Sequence, residues 1–206
     1  MNSFSFTIPQ NIKVGAGSLS LLPDLAKELG KSKAYIISGP HLEKMGLVEK
    51  AAEGFKASKA DFIVAFGGGS PLDVAKAVAV LATYGGNIVD YEGGGKVKGP
   101  IVPMIAIPTT AGTGSEVTAF SVITDHARNY KLTVVSNYLL PAYAILDPEL
   151  ITTVPEKTAA ACGIDAMVHA LEAYISKAAS PFSDIFAKEA LRLIGGSIRD
   201  YVADRS

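Results

Sequence analysis

The stretch Ala60–Gly85, ADFIVAFGGGSPLDVAKAVAVLATYG, limits the possible folds more than any other part of the chain. A short unbroken apolar run leads into three consecutive glycines and then into a helical pattern that stops at Gly85. A run this short and this apolar reads as a strand buried on both faces. Other runs of the same kind are KAYIISG, VPMIAIP and YAILDPEL. FSFTI and IKVG read as two short strands around Pro9–Asn11, followed by a helix from about Ser20 that Gly30 caps. A helical pattern spans about His41 to Lys59, and AFSVITD pairs with KLTVVS as a hairpin across His126–Asn129. Apolar strands alternating with helices define an α/β class with a mainly parallel sheet, covered on both faces. After Pro155 the pattern is helical only. The organisation expected is therefore an α/β domain over residues 1–154 and the beginning of a helical domain over 155–206. In the last helix Phe182, Ile185, Phe186, Leu193, Ile194, Ile198, Tyr201 and Val202 recur at helical spacing.

Composition narrows the function. The formal net charge is −1, which offers no basic footprint for nucleic acid and no basic face for a membrane. Cys162 is the lone cysteine, so no internal disulfide forms, as suits a reducing cytoplasm. No cationic start precedes an apolar core at the N-terminus, and no apolar run is long enough to span a bilayer. The expected setting is cytoplasmic, and the expected partner is a small molecule.

The glycine turn is the first chemical signal. Three glycines at the carboxyl end of a strand let backbone approach a ligand, at an entropic cost that packing alone does not repay. Ser70 reads as a helix cap, Pro71 as a first-turn proline and Asp73 as the third helical position of a capping box. Free N–H groups at a helix N-terminus favour a phosphate. The spacing is neither G-x-G-x-x-G nor the loop ending in G-K-[ST]. A second loop, IPTTAGTGSE, also follows an apolar strand and offers Thr109, Thr110, Thr113 and Ser115 as hydrogen-bond partners. Two such loops belong at the carboxyl edge of a parallel sheet, where ligands of these folds bind. In GIDAMVHALEAY, Asp165 and His169 stand one helical turn apart, about 6 Å in rise, so both reach one point beside the helix. That spacing serves either a surface ion pair or two ligands of a metal.

Taken in order, GGGSPLDVAKA, IPTTAGTGSEVTAFSVITD, AILDPEL and GIDAMVHALEAY resemble the iron-containing (group III) alcohol dehydrogenase family, over most of Phe4–Ala203. The resemblance implies a dinucleotide-binding α/β domain followed by a helical metal-binding domain. It also implies interconversion of alcohols with aldehydes or ketones by hydride transfer to or from NAD(P), assisted by a divalent metal, iron or zinc. By the same resemblance Gly68, Gly69 and Ser70 belong to the pyrophosphate loop, with Asp73 grouped among the cofactor residues. Thr109, Thr110 and Thr113 belong to a second cofactor loop, Lys131 reaches the cofactor ribose, and Asp165 with His169 ligate the metal. No side chain is assigned as a proton-transfer catalyst, since the metal assists the hydride step.

The chain departs from the family pattern in three places. The family completes its metal site with two histidines beyond Ser206, and neither His41 nor His126 matches a ligand, so metal binding by this chain is expected to be weak. Between Lys50 and Ala51 the family carries a further strand and an Asn-Pro-Thr turn, whose loss removes a strand and part of the adenosine pocket. Either the chain is part of a longer protein, or it is a true truncation that pairs its exposed helices with another chain. Gly39 stands where the family often has an acidic residue that contacts the ribose 2′-hydroxyl; its absence favours NADP over NAD, with Lys44 as a partner for the 2′-phosphate. A homo-oligomer is expected. The competing reading is a nucleotide-binding fragment without catalytic activity.

Overall fold

The computed structural model describes residues 11–39, 47–125 and 128–204. The chain forms two compact units. One comprises Ile8–Pro108 and Ser115–Pro148; the other includes Thr109–Gly114 and Glu149–Ser206.

The first unit is built on a five-stranded sheet of β1 (Ile12–Val14), β2 (Ala34–Ser38), β3 (Phe62–Gly67), β5 (Met104–Pro108) and β8 (Tyr143–Leu146), in the order β1-β8-β5-β3-β2. Every pairing in it is parallel. The apolar runs read from the sequence are these strands, and β5 is buried along its whole length. Gly67 at the end of β3 is the register partner of Pro108 at the end of β5. The carboxyl ends of these two neighbouring strands therefore lie at one edge of the sheet.

Helices α1 (Leu22–Glu28), α2 (Leu47–Ser58) and α3 (Gly69–Tyr84) complete this unit together with a smaller sheet. That sheet contains β4 (Gly93–Gly94), β6 (Phe120–Asp125) and β7 (Tyr130–Val135), in the order β4-β7-β6. Helix α3 packs against β3, β6 and α2. Its residues 74–81 are buried without interruption, as a helix apolar on all sides requires. Val74, Ala75, Val78, Ile63, Ala106, Ile123, Leu132 and Val134 belong to one core. Fully burying each Val or Ile side chain contributes about 1.5–3 kcal/mol.

The structure refines the sequence reading at the first helix and adds a strand, and two expected elements cannot be compared with it. FSFTI lies outside the described residues, as does the first part of the helix expected from His41. The helix expected from Ser20 opens with a 3₁₀ turn, Ser18–Leu21, and becomes α-helical at Leu22. Strand β4 consists of two glycines, so no side-chain alternation announced it. Lys50 and Ala51, between which the family pattern carries a further strand and turn, are consecutive residues of α2.

In the second unit α4 (Glu156–Ile175) and α5 (Pro181–Ala203) fold back on one another. Ser180 accepts from the Ser183 N–H, and Ser183 closes the box by accepting from the Ser180 N–H, with Pro181 in the first turn. The seam is close at Gly163, where a Cβ would lie 2.8 Å from Ile198 Cδ1 and would make that side chain shift. Tyr201 Oη donates to the Ile151 carbonyl at 3.2 Å. Large apolar side chains remain exposed on both helices, among them Ile164, Leu171, Ile175, Ile185 and Phe186.

Candidate cofactor and metal sites

The glycine turn has a definite division of labour. Gly67 adopts φ +147°, and a Cβ there would meet the Pro71 ring at 2.8 Å. Gly68 is the residue preceding the helix, with φ −74° and ψ −166°, and no side chain caps it. The helix thus starts at Gly69, earlier than the Ser70–Pro71 reading expected, and Ser70 lies in the first turn instead of capping it. The physical reason is that Gly68 already supplies the extended backbone a cap residue needs. With no capping side chain, the first-turn N–H groups of α3 are left to an external acceptor. Gly68 has a φ open to any residue, so its own backbone angle does not demand a glycine there.

Asp73 serves the helix internally. Its carboxylate accepts from Ser115 Oγ at 2.5 Å and from the Val122 N–H at 3.2 Å, and it stands 3.8 Å from Lys76 Nζ. Lys76 is wholly buried and donates to the carbonyls of Phe120 (2.6 Å) and Thr118 (2.9 Å). Burial lowers the Lys76 pKa to about 8 against the opposing pull of Asp73 and Glu116. Burial likewise raises the carboxyls of Asp73 and Glu116. The cluster fastens Ser115–Val122 to α3, the helix whose N-terminus forms the turn. Sequence reading missed it; the signal was a lysine inside an otherwise apolar helical stretch.

The threonine loop belongs to the second unit. Thr109, Thr110 and Thr113 are half-buried, and Gly114 has φ +65°. The loop rests on α4: a Cβ at Gly112 would lie 2.4 Å from the Cys162 carbonyl oxygen and 2.9 Å from its Cα. Cys162 is half-buried, and burial raises its pKa against the opposing effect of the neighbouring Thr110 side chain.

The remaining assignments fall as follows. Gly39 follows β2 with φ +109°, and among the described residues, its chain neighbours aside, no heavy atom lies within 4 Å of where its Cβ would stand. Lys131 is exposed on β7, paired in register with Thr124. His41, Lys44 and His126 lie outside the described residues. A pocket of about 260 Å³, lined by residues including Ile101, Met104 and Tyr138, lies at the amino end of β5, away from Pro108.

Asp165 and His169 sit one turn apart on α4, Oδ2 to Nδ1 at 3.7 Å, with side chains 48% and 54% exposed. One hard carboxylate and one imidazole are the donor types that iron and zinc take, so the pair suits half of a ligand set. Among the described residues no third His, Cys, Asp or Glu completes it.

A parallel α/β unit whose uncapped glycine turn opens at the sheet's carboxyl edge is a nucleotide-binding architecture. The family model for iron-containing alcohol dehydrogenase matches residues 46–148, and that for the C-terminal part of the Fe-containing alcohol dehydrogenase family matches 159–206. The chain belongs to the iron-containing alcohol dehydrogenase family. It is 37% identical over 229 residues to the NAD-dependent methanol dehydrogenase of Bacillus methanolicus, covering 97% of this chain and 60% of that protein. It is 39% identical over 238 residues to long-chain-alcohol dehydrogenase 1 of Geobacillus thermodenitrificans, covering 100% and 60%. Both alignments exceed the 206 residues of the chain, so each relative carries residues that this chain lacks. Among solved structures, a 1,3-propanediol oxidoreductase superposes with TM-score 0.93 at 33% identity, over 100% of this chain and 61% of the other. The sulfoacetaldehyde reductase of Bifidobacterium kashiwanohense, solved with NAD+, gives 0.90 at 30%, over 100% and 62%. The chain thus spans about three-fifths of the length of the relatives it matches.

Proposed function

We propose that this chain is the cofactor-binding portion and first metal-ligating helix of a metal-dependent NAD(P) alcohol dehydrogenase. The observation that carries the reading is the uncapped start of α3 behind Gly67–Gly69, at the carboxyl edge of a parallel sheet. In this reading the first-turn N–H groups of α3 and the Ser70 hydroxyl take the cofactor pyrophosphate. Thr109, Thr110 and Thr113 hold its nicotinamide half, and Lys131 contacts the ribose. Asp73 acts one step removed, keeping α3 fixed to Ser115 and Val122. Asp165 and His169 hold a divalent ion of the iron type, together with ligands from outside the described residues.

When bound, the metal supplies Lewis-acid activation of the alcohol oxygen, and the nicotinamide supplies the hydride acceptor. The protein's share is position: two loops orient the dinucleotide, and α4 presents a carboxylate and an imidazole from one face.

The open space at Gly39 supports NADP as the preferred form, since no carboxylate there repels a 2′-phosphate. Relatives named for NAD make the opposite preference the result to watch for. The exposed apolar side chains of α4 and α5 support self-association. No helix among the described residues is long and apolar enough to cross a membrane, and the single cysteine supports a cytoplasmic setting.

The test is aldehyde reduction followed at 340 nm, with NADPH and NADH in parallel and Fe(II) or Zn(II) supplied. Turnover that needs both metal and reduced cofactor supports the enzyme reading. Cofactor binding without turnover under every metal condition favours the second reading, a nucleotide-binding fragment. A several-fold preference for NADH overturns the NADP assignment.

A further inference from the structure

The threonine loop and the metal-ligand helix meet at one point. Gly112 lies so close to Cys162 that its would-be Cβ collides with the carbonyl oxygen, carbonyl carbon and Cα of that residue, at 2.4, 2.9 and 2.9 Å. These are backbone atoms inside a helix, and they cannot swing aside as a side chain would. The loop is therefore seated directly on the main chain of α4. Two residues back, the Thr110 side chain neighbours the Cys162 sulfur. Three residues on from Cys162, at helical spacing that puts it on the same side of α4, stands Asp165. Cys162 is half-buried, consistent with cover from the loop.

We propose that Gly112 is a positioning residue whose seat on the Cys162 backbone fixes the Thr109–Gly114 loop for dinucleotide binding, with the Thr110 side chain beside the Cys162 thiol as its second fastening. This rests on the reading that the loop holds the cofactor. Neither group touches the reacting atoms; both act through the placement of Thr109, Thr110 and Thr113. The geometry also explains why a residue with no side chain stands at 112: any Cβ would lift the loop from the helix. It gives Cys162 a duty as the joint between the cofactor loop and the turn of α4 that precedes Asp165. Because Cys162 is the lone cysteine, the joint carries its own chemical reporter.

The experiment measures maleimide labelling of Cys162 and NADH affinity, at one pH, on the unaltered chain, Gly112→Ala, Thr110→Val and Thr110→Ser. Cys162→Ala and the double variant Thr110→Val/Cys162→Ala, which carry no thiol, are read by NADH affinity alone. Saturating NADH is expected to slow labelling of the unaltered chain several-fold, because an occupied loop stays seated. In Gly112→Ala labelling is fast with or without NADH, and affinity falls by about tenfold or more. Thr110→Val and Cys162→Ala each weaken NADH by about threefold, the scale of one polar contact, and the double variant is no worse than either. Thr110→Ser restores the unaltered behaviour. Should Gly112→Ala fail to fold by circular dichroism, the Thr110 and Cys162 arms decide alone. NADH binding unchanged in Thr110→Val and Cys162→Ala, or NADH that binds without protecting the thiol, overturns the proposal. Absence of NADH binding to the unaltered chain removes the cofactor reading itself, a result distinct from either.

Discussion

Lys76 and Asp73 stand one turn apart on α3, Nζ to Oδ1 at 3.8 Å, and the lysine side chain is wholly out of solvent. The lysine's other bonds reach Thr118 and Phe120, so a single ammonium ties the helix to the segment leading into β6. Lys76→Met leaves the Asp73 charge buried without its cation and leaves two carbonyls short of a donor. Removing one partner of a buried pair costs about 3–5 kcal/mol. Urea denaturation is expected to show a loss of that order, with part of it recovered in Asp73→Asn/Lys76→Met.

The same lysine sets a pH dependence. In the folded state it releases its proton at about 8, whereas the ordinary value is 10.5. Between those values the unfolded chain binds more protons, so this group makes stability rise with pH from about 8 to about 10.5. Tyr91, Tyr130 and Tyr143 have raised values, and they act in the opposite sense above their ordinary 10. Comparing denaturation midpoints at pH 7.5 and 9.5 in the unaltered chain and Lys76→Met separates the lysine from the tyrosines. The unaltered chain is expected to gain on the variant across that interval.

Gly67 and Gly68 are neighbours with different duties, and substitution separates them. Gly67→Ala forces φ +147° on a residue with a Cβ and drives it into Pro71. A loss of about 1–3 kcal/mol is expected, the usual scale of such strain. Gly68→Ala asks only for φ −74°, and thermal denaturation is expected to register a change of no more than about 1 kcal/mol.

Asp165 and His169 are an exposed pair, and exposed pairs contribute about 0–1 kcal/mol. Asp165→Ala is therefore expected to leave the urea midpoint nearly unchanged. Metal analysis after dialysis against Fe(II) or Zn(II) is expected to give well under one ion per chain, because catalytic sites normally hold zinc by three protein ligands. Stoichiometric metal that survives dialysis contradicts this, and its loss in Asp165→Ala would then locate it.

The elements built on runs of like side chains were legible in the sequence. Buried strands β2, β3, β5 and β8 show as apolar runs, and β6–β7 as a hairpin around a polar turn. Helices α4 and α5 show through their spacing. The glycine turn was legible in outline, although glycine at 68 moved the helix start ahead of Ser70. What escaped was set by distant partners. Lys76 reads as an ordinary helical lysine until Thr118 and Phe120, more than forty residues on, close over it. Gly112 looks like loop flexibility until Cys162 arrives beneath it. Neither relation has a local signature, because each is made by the packing of segments far apart along the chain.

The central claim is that the turn after β3 receives the dinucleotide's phosphates through main-chain N–H groups. Its most direct measurement is a fluorescence titration with NADH and NADPH of the unaltered chain and of Gly68→Val, with folding checked by circular dichroism. The account predicts saturable binding to the unaltered chain and affinity weaker by at least about tenfold in the folded variant. Equal affinity in the two proteins, or none in the unaltered chain, would contradict it.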